Sequence, residues 1–191
     1  AVGASLPVLR RFGEVPLPSG AVVAGSILDG EAVSGAIKTL WKRYRLPRRR
    51  VVVGVAGRQV AVHRVEVPRL PEEELVASLP GLLAGRLPLP VEDVVLDHLP
   101  LAETTGAEGE PRLALLVVAV PREVVESLLR VVGRAGVEVM SIDLQAFGLV
   151  RGAFGAAPVG NGDEDRALLD IGGTLTQVAV VRDGLTCFVR H

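Results

Sequence analysis

The chain has 191 residues, 49% of them hydrophobic, 3% aromatic and 23% charged, with a formal net charge of −1. That length allows one large domain or two small ones, and so few aromatics leave Val, Leu and Ala to build the core. Balanced charge gives no global pull toward nucleic acid or an anionic membrane, the lone Cys187 excludes an internal disulfide framework, and no apolar run approaches the ~20 residues of a membrane-spanning helix. A soluble, cytoplasmic protein is expected.

In chain order, residues 6–12 read as a short strand, followed by irregular chain marked by Pro16, Pro18 and Gly20. A helix comes next: Asp29 is its N-cap, Glu31 lies in its first turn, and Val33, Ile37, Leu40, Trp41 and Tyr44 recur at helical spacing. Arg43, Arg45, Arg48, Arg49 and Arg50 gather at and beyond its C-terminal end, where cations suit the helix dipole. They lack the interleaved series of aromatics that a single-strand nucleic-acid binder needs. Residues 50–56 form a β-rich run of the kind found in buried strands.

From residue 59 the order of elements becomes informative. Residues 59–67 alternate as a strand, closed by Pro68 and Pro71. Residues 72–87 read as a helix opened by Pro71 and a run of acids. Pro80, Gly81 and Gly85 interrupt it, and Pro inside a helix costs ~3 kcal/mol or more, so a break or kink is expected at 78–81. A strand at 94–99, an acidic loop at 103–111 and a strongly apolar strand at 113–120 come next. The helix over 121–135 carries Val124, Val125, Leu128, Leu129 and Val132 on one side and stops at Gly136; residues 137–142 are a strand. The order over 59–142 is βαββαβ, a split βαβ arrangement. Asp143 is either the N-cap of a helix over 144–150 or a weaker nucleotide contact.

Residues 167–184 hold the most informative stretch. Two apolar strands are joined through Gly172-Gly173, and a second turn falls at Asp183-Gly184. Asp170, the two glycines and the hydroxyls of Thr174 and Thr176 place backbone N–H groups where a phosphate can sit, since Gly lets a phosphoryl group approach closely. Asp170 would then hold a metal or orient a water. The alternative is a half-buried hairpin that uses Gly for positive φ and Asp as a turn residue. His63, His98 and His191 show no metal spacing. Cys187 reads as a small core residue, and no nucleophile elbow supports acyl transfer.

The 170–174 stretch resembles the second phosphate-binding hairpin of the actin-like ATPases. The phrases at 11–18, 51–57, 121–126 and 141–147, in this order around the βαββαβ module, resemble the PilM family of type IV pilus assembly proteins. The resemblance implies an α/β fold: a partial actin-like ATPase domain with an inserted βαββαβ subdomain of the 1C type. It divides the chain into part of subdomain 1A (1–58), the inserted 1C-like subdomain (59–142), a return helix and loop of 1A (143–165) and the second phosphate-type hairpin (166–191). Relative to the family pattern the chain lacks a first phosphate hairpin before Ala1 and a second half after His191, so it is expected to hold one wall of a nucleotide cleft.

Further implications follow from that resemblance. Asp170, Gly172, Gly173 and Thr174 would bind the nucleotide phosphates, with Asp170 reaching Mg2+. ATP and Mg2+ are expected for full-length members and weak or absent binding for this chain. Gln177 stands where related ATPases often carry Asp; an amide positions a water without taking its proton, so any hydrolysis is slow. The implied role is a cytoplasmic scaffold, peripheral to the inner membrane, that docks the N-terminal tail of the membrane protein PilN between subdomains 1A and 1C. Val51, Val53, Val55, Leu75, Leu79 and Leu82 are the expected groove residues. Neither nucleic-acid binding nor direct membrane insertion is implied. The alternatives are a sugar kinase or ATPase, against which stands the absence of an Asn-Asp or Glu-His sugar-binding constellation, and an FtsA-like division scaffold.

Overall fold

A computed structural model describes residues 8–87, 89–155 and 165–191. The first of these segments begins irregularly, and no strand forms at residues 8–12; residues 6 and 7 of the expected strand lie outside the described residues. Val8 and Leu9 have no neighbouring strand and stay exposed. The segment instead packs on a helix end: the Tyr44 ring lies against Gly13, and the Tyr44 hydroxyl donates to the Glu14 carbonyl at 3.3 Å.

Two short strands, β1 (Val22–Val23) and β2 (Ser26–Ile27), form a hairpin that the sequence did not announce. Helix α1 (Gly30–Tyr44) follows, capped as expected: Asp29 Oδ1 accepts from the N–H groups of Glu31 and Ala32 at 3.1 and 2.9 Å. Such a cap contributes about 1 kcal/mol. Strand β3 (Val51–Val55) alternates between half-buried and exposed positions up to the buried Val55, rather than lying fully buried, because it has a single strand neighbour.

The segment after β3 is a module of its own. β4 (Ala61–Pro68), β5 (Val94–Thr105) and β6 (Pro111–Pro121) form an antiparallel sheet in the order β4-β6-β5. β5 runs six residues further than the expected 94–99, so much of the predicted 103–111 loop is ladder, and only 106–110 turn the chain. Helix α2 (Glu72–Leu83) covers one face of this sheet with Leu75, Leu79 and Leu83 against Val65, Val67, Leu115 and Val117. Of the break or kink expected at 78–81, the break does not occur: the helix passes through Pro80 and stops at Ala84–Gly85. Pro80 leaves the Val76 carbonyl without its helical donor, and Val76 lies half-exposed on the side that water reaches. Burial of three leucines, about 1.5–3 kcal/mol each, outweighs a proline cost of ~3 kcal/mol.

Helix α3 (Arg122–Arg134) covers the opposite face, packing Val124, Val125 and Leu128 near Val118 and Val120. Leu129, placed on the same side by the sequence, is exposed, while Val131 and Val132 are buried. Strand β7 (Val139–Leu144) completes the βαββαβ order, but it does not join the β4-β6-β5 sheet. It pairs in parallel with β3, so that everything from β4 to α3 is inserted between two neighbouring parallel strands. α1 and α3 pack against each other, and Ile37, Trp41, Val132, Ala135, Val51, Val53 and Val139 form the core between them and the β3-β7 pair.

Helix α4 (Gln145–Phe154) follows β7 directly. Leu144, not Asp143, is its capping residue; Asp143 is the penultimate residue of the strand, accepts from the Leu144 N–H at 2.8 Å and pairs with Arg151. Part of the expected return loop, 156–164, lies outside the described residues. The chain then makes a meander of β8 (Arg166–Ile171), β9 (Thr176–Arg182) and β10 (Leu185–Arg190), ordered β10-β9-β8. Ala179, Val181 and Val189 of this sheet pack on Ala146 and Val150 of α4. Among the described residues, no helix is long and apolar enough to cross a membrane.

Candidate functional site

The turn between β8 and β9 spans residues 172–175 and brings together the residues singled out from the sequence. The Gly172 N–H donates to the Leu175 carbonyl at 3.0 Å and closes the turn. Neither Gly172 nor Gly173 has positive φ, so the hairpin does not use them for left-handed backbone. Their roles differ. A Cβ on Gly172 would stand 2.8 Å from the Leu175 carbonyl oxygen, whereas a Cβ on Gly173 would meet nothing within 4 Å. Gly172 is needed for close approach, and Gly173 faces open space. The N–H groups of Gly173 and Thr174 make no hydrogen bond among the described residues, and both residues are exposed. These features suit the approach of a phosphate, whose oxygens take backbone N–H donors.

Asp170 sits at the end of β8, half-buried, with Oδ2 accepting from Gln177 Nε2 at 2.9 Å across the β8–β9 ladder. Gln177 is 3% exposed and its Oε1 has no partner among the described residues. The sequence placed Gln177 as a residue that positions water. The structure buries it and sets its side-chain N–H on the Asp170 carboxylate. The i to j pairing across a hairpin was the signal available, because residues seven apart around this turn lie opposite each other.

A cleft of about 660 Å3 opens beside this hairpin, bounded by Leu175, by Gly54, Val55 and Ala56 at the end of β3, by one side of α3, and by the β1–β2 hairpin. Gln59 and Gln145 add polar groups, and Glu123, Glu126 and Arg130 line the α3 side. The β1–β2 wall is held by direct backbone contact. Gly25 has φ +88°, and a Cβ there would lie 2.1 Å from the Ala56 carbonyl oxygen; the Arg58 N–H donates to the Ala24 carbonyl at 3.4 Å. Only glycine permits both the conformation and the approach. This wall went unread in the sequence; the signal was the repeated Ala-Gly of Ala24-Gly25 and Ala56-Gly57, two chain reversals that pack on one another.

The groove residues expected from the sequence do not line one surface. Val55 lines the cleft. Val51 and Val53 belong to the core beneath α1 and α3. Leu75 and Leu79 are 1% and 3% exposed and, with the half-buried Leu82, pack in the α2 core. The leucine stripe of α2 repeats every four residues because it covers the sheet, and it has no free face left for a partner.

The remaining candidates have structural partners or stand apart. His98 Nε2 lies 3.3 Å from Glu72. Cys187 is half-buried on β10, its thiol donating to the Val180 carbonyl at 3.6 Å. Among the described residues, no three His, Cys, Asp or Glu side chains gather where a metal ion could be held.

The model of the family described as type IV pilus assembly protein PilM matches residues 5–191. A solved structure described as the PilM-PilN type IV pilus biogenesis complex is similar, with 25% identity and a TM-score of 0.76, over 92% of this chain and 52% of the matched one. The cytoplasmic domain of EpsL, an inner membrane component of the type II secretion system of Vibrio cholerae, shares the fold at 22% identity and a TM-score of 0.54, over 81% of this chain and 54% of that one. The chain thus spans about half the length of each protein it matches.

Proposed function

Because the chain belongs to the family of type IV pilus assembly protein PilM, we propose that it is a scaffold of pilus assembly and that its cleft receives the N-terminal tail of a PilN-type partner. The observation that carries this reading is the cleft itself. It lies where the inserted module meets the β3-β7 pair, and it combines apolar wall residues (Ile27, Val55, Val124, Leu175) with the side-chain amides of Gln59 and Gln145. An extended peptide needs that mixture, with pockets for alternate side chains and polar groups for its backbone. On this reading the family's subdomain name 1A goes to the β3-β7 side of the cleft, and 1C to the inserted module, which reaches the cleft through α3. The protein would sit at the cytoplasmic face of the inner membrane, held there by its partner.

ATP with Mg2+ is the nucleotide ligand we assign to the β8–β9 hairpin. The Gly173 and Thr174 N–H groups would take phosphate oxygens, and Asp170 would stand near the cation. When bound, the metal would neutralise phosphate charge. A buried amide at position 177 cannot accept a proton, so nucleotide acts on conformation more than as a substrate.

A synthetic peptide of the PilN N-terminal tail, titrated into this chain with and without Mg-ATP, tests the reading. Binding that is insensitive to ATP and is lost in Ser127→Arg, which fills the α3 side of the cleft without touching the core, is the expected result. Absence of peptide binding together with strong ATP affinity would overturn it in favour of an ATP-dependent enzyme.

A further inference from the structure

A second cavity, of about 710 Å3, lies on the other side of the β3–β4 turn, between the start of β4, the end of β10 and the chain that leaves α2. Three arginines from three elements line it: Arg58 from the β3–β4 turn, Arg86 after α2 and Arg190 from β10. Arg58 and Arg86 are exposed and pair with no carboxylate among the described residues. Arg190 stands over the Phe188 ring, 5.9 Å from its centroid, and not against an acid. Glu123 is the lone side-chain carboxylate among the described lining residues. Gln59, His63 and His191 add polar groups; His191 Nε2 is buried without a partner among the described residues, and burial lowers its imidazole pKa from the ordinary value.

We propose that this cavity is an anion site, separate from the β8–β9 hairpin, that takes a condensed phosphate carried on an organic group, such as a nucleoside triphosphate. Guanidinium forks match phosphate oxygens in pairs, and three of them around one hole suit a compact ligand with several negative oxygens. An acidic peptide would call for cations strung along an edge, and these come from separate elements around a single cavity. Val60, Leu87, Leu89 and Pro121 supply the apolar wall against which the organic group lies, and the volume falls in the range of small-molecule sites. The three guanidinium groups are the contacts the site offers to phosphate oxygens, so it takes the free anion; Mg2+, by neutralising the phosphates, competes with the arginines.

That sign separates this site from the hairpin. The test is calorimetric titration of this chain with ATP and with inorganic pyrophosphate, in EDTA and in Mg2+. ATP should bind in EDTA, more tightly than pyrophosphate, with affinity that falls as salt rises. The double variant R58E/R86E should weaken it by about tenfold or more, the loss expected when a charge-assisted contact of ~1.5 kcal/mol is removed. D170N, at the hairpin, should alter only the part of the ATP response that depends on Mg2+. Both arginines are exposed, so the fold should tolerate their reversal, and R58Q/R86Q gives a milder variant with the same direction of effect. Binding that requires Mg2+ and disappears in D170N, or no binding in EDTA, would overturn the proposal. Equal affinity for ATP and pyrophosphate would remove the organic group from it.

Discussion

Strands β6 and β8 are both apolar, and both belong to three-stranded antiparallel sheets, yet they live in different surroundings. β6 is the central strand of its sheet and is buried without interruption from Ala114 to Pro121. Leu115 and Val117 face α2, while Val118 and Val120 face the opposite cluster with Val55, Val60 and Leu144. β8 is an edge strand, and its burial alternates residue by residue, with Leu169 62% and Ile171 74% exposed. Coverage decides the difference. An uninterrupted apolar run survives where helices or other layers lie on both faces. The β8-β9-β10 sheet has α4 on one side, and the other face of β8 carries its apolar residues into solvent. The stable platform of the molecule is therefore the inserted module, and the phosphate-type hairpin is mounted on its less covered sheet.

The contrast makes its largest prediction in the two cores. Leu75→Ala, in the α2 stripe against β6, should lower unfolding stability by about 2–5 kcal/mol, as removal of a fully buried leucine does. Leu169→Ala on β8 should change it by no more than about 0.5 kcal/mol. Urea unfolding of both variants measures this. Similar losses would mean that the outer face of β8 is covered in solution, and would break the comparison. The same experiment separates core from groove: Leu75 was a groove candidate by sequence, and a purely stabilising role predicts that Leu75→Ala affects peptide binding only through unfolding.

A smaller effect is expected at the hairpin. Gln177→Glu places a second carboxylate beside Asp170 in a buried position, where like charges oppose ionisation. The substituted carboxyl should have its pKa raised on folding, so the cost, roughly 1–3 kcal/mol at neutral pH, should shrink as the pH falls through the carboxylate range and the new group protonates. Thermal melts at pH 7 and pH 4 read the sign. A variant equally destabilised at both values would show that the loss is one of shape, and that the Gln177–Asp170 contact is not electrostatic.

Much of this architecture was legible in the sequence because it is periodic or local. The Asp29 cap, the stripes of α1 and α3, the apolar run of β6 and the two turns at Gly172-Gly173 and Asp183-Gly184 all follow from spacing and turn chemistry. What escaped is non-local. Periodicity puts Leu75 and Leu79 on one face of a helix without saying whether that face meets a sheet or a partner. It cannot tell that β7, the last strand of a βαββαβ order, pairs with β3 some ninety residues earlier. Nor does a local proline rule foresee that three buried leucines outweigh Pro80. At the site, Asp170 and the glycines were readable from composition. The Gln177 contact and the β1–β2 wall depend on pairings that only the folded chain reveals.

The finest distinction lies between two adjacent glycines. Gly172→Ala would push a methyl to within 2.8 Å of the Leu175 carbonyl oxygen, which belongs to the turn's own backbone and cannot swing aside as a flexible side chain could. The turn must open or lose its Gly172–Leu175 hydrogen bond, at a cost of about 1 kcal/mol. Gly173→Ala meets no atom and requires no left-handed φ, so it should be neutral or slightly stabilising through the entropy of the unfolded chain, by ~0.4–1 kcal/mol at most. Unfolding midpoints of the pair measure a difference that residue type alone would not predict. The same Gly173 methyl fills the space through which a phosphate would reach the Gly173 and Thr174 N–H groups. A variant that folds as well as the parent yet loses its response to Mg-ATP would place nucleotide at this hairpin. An undiminished response in a well-folded Gly173→Ala would take the nucleotide away from it.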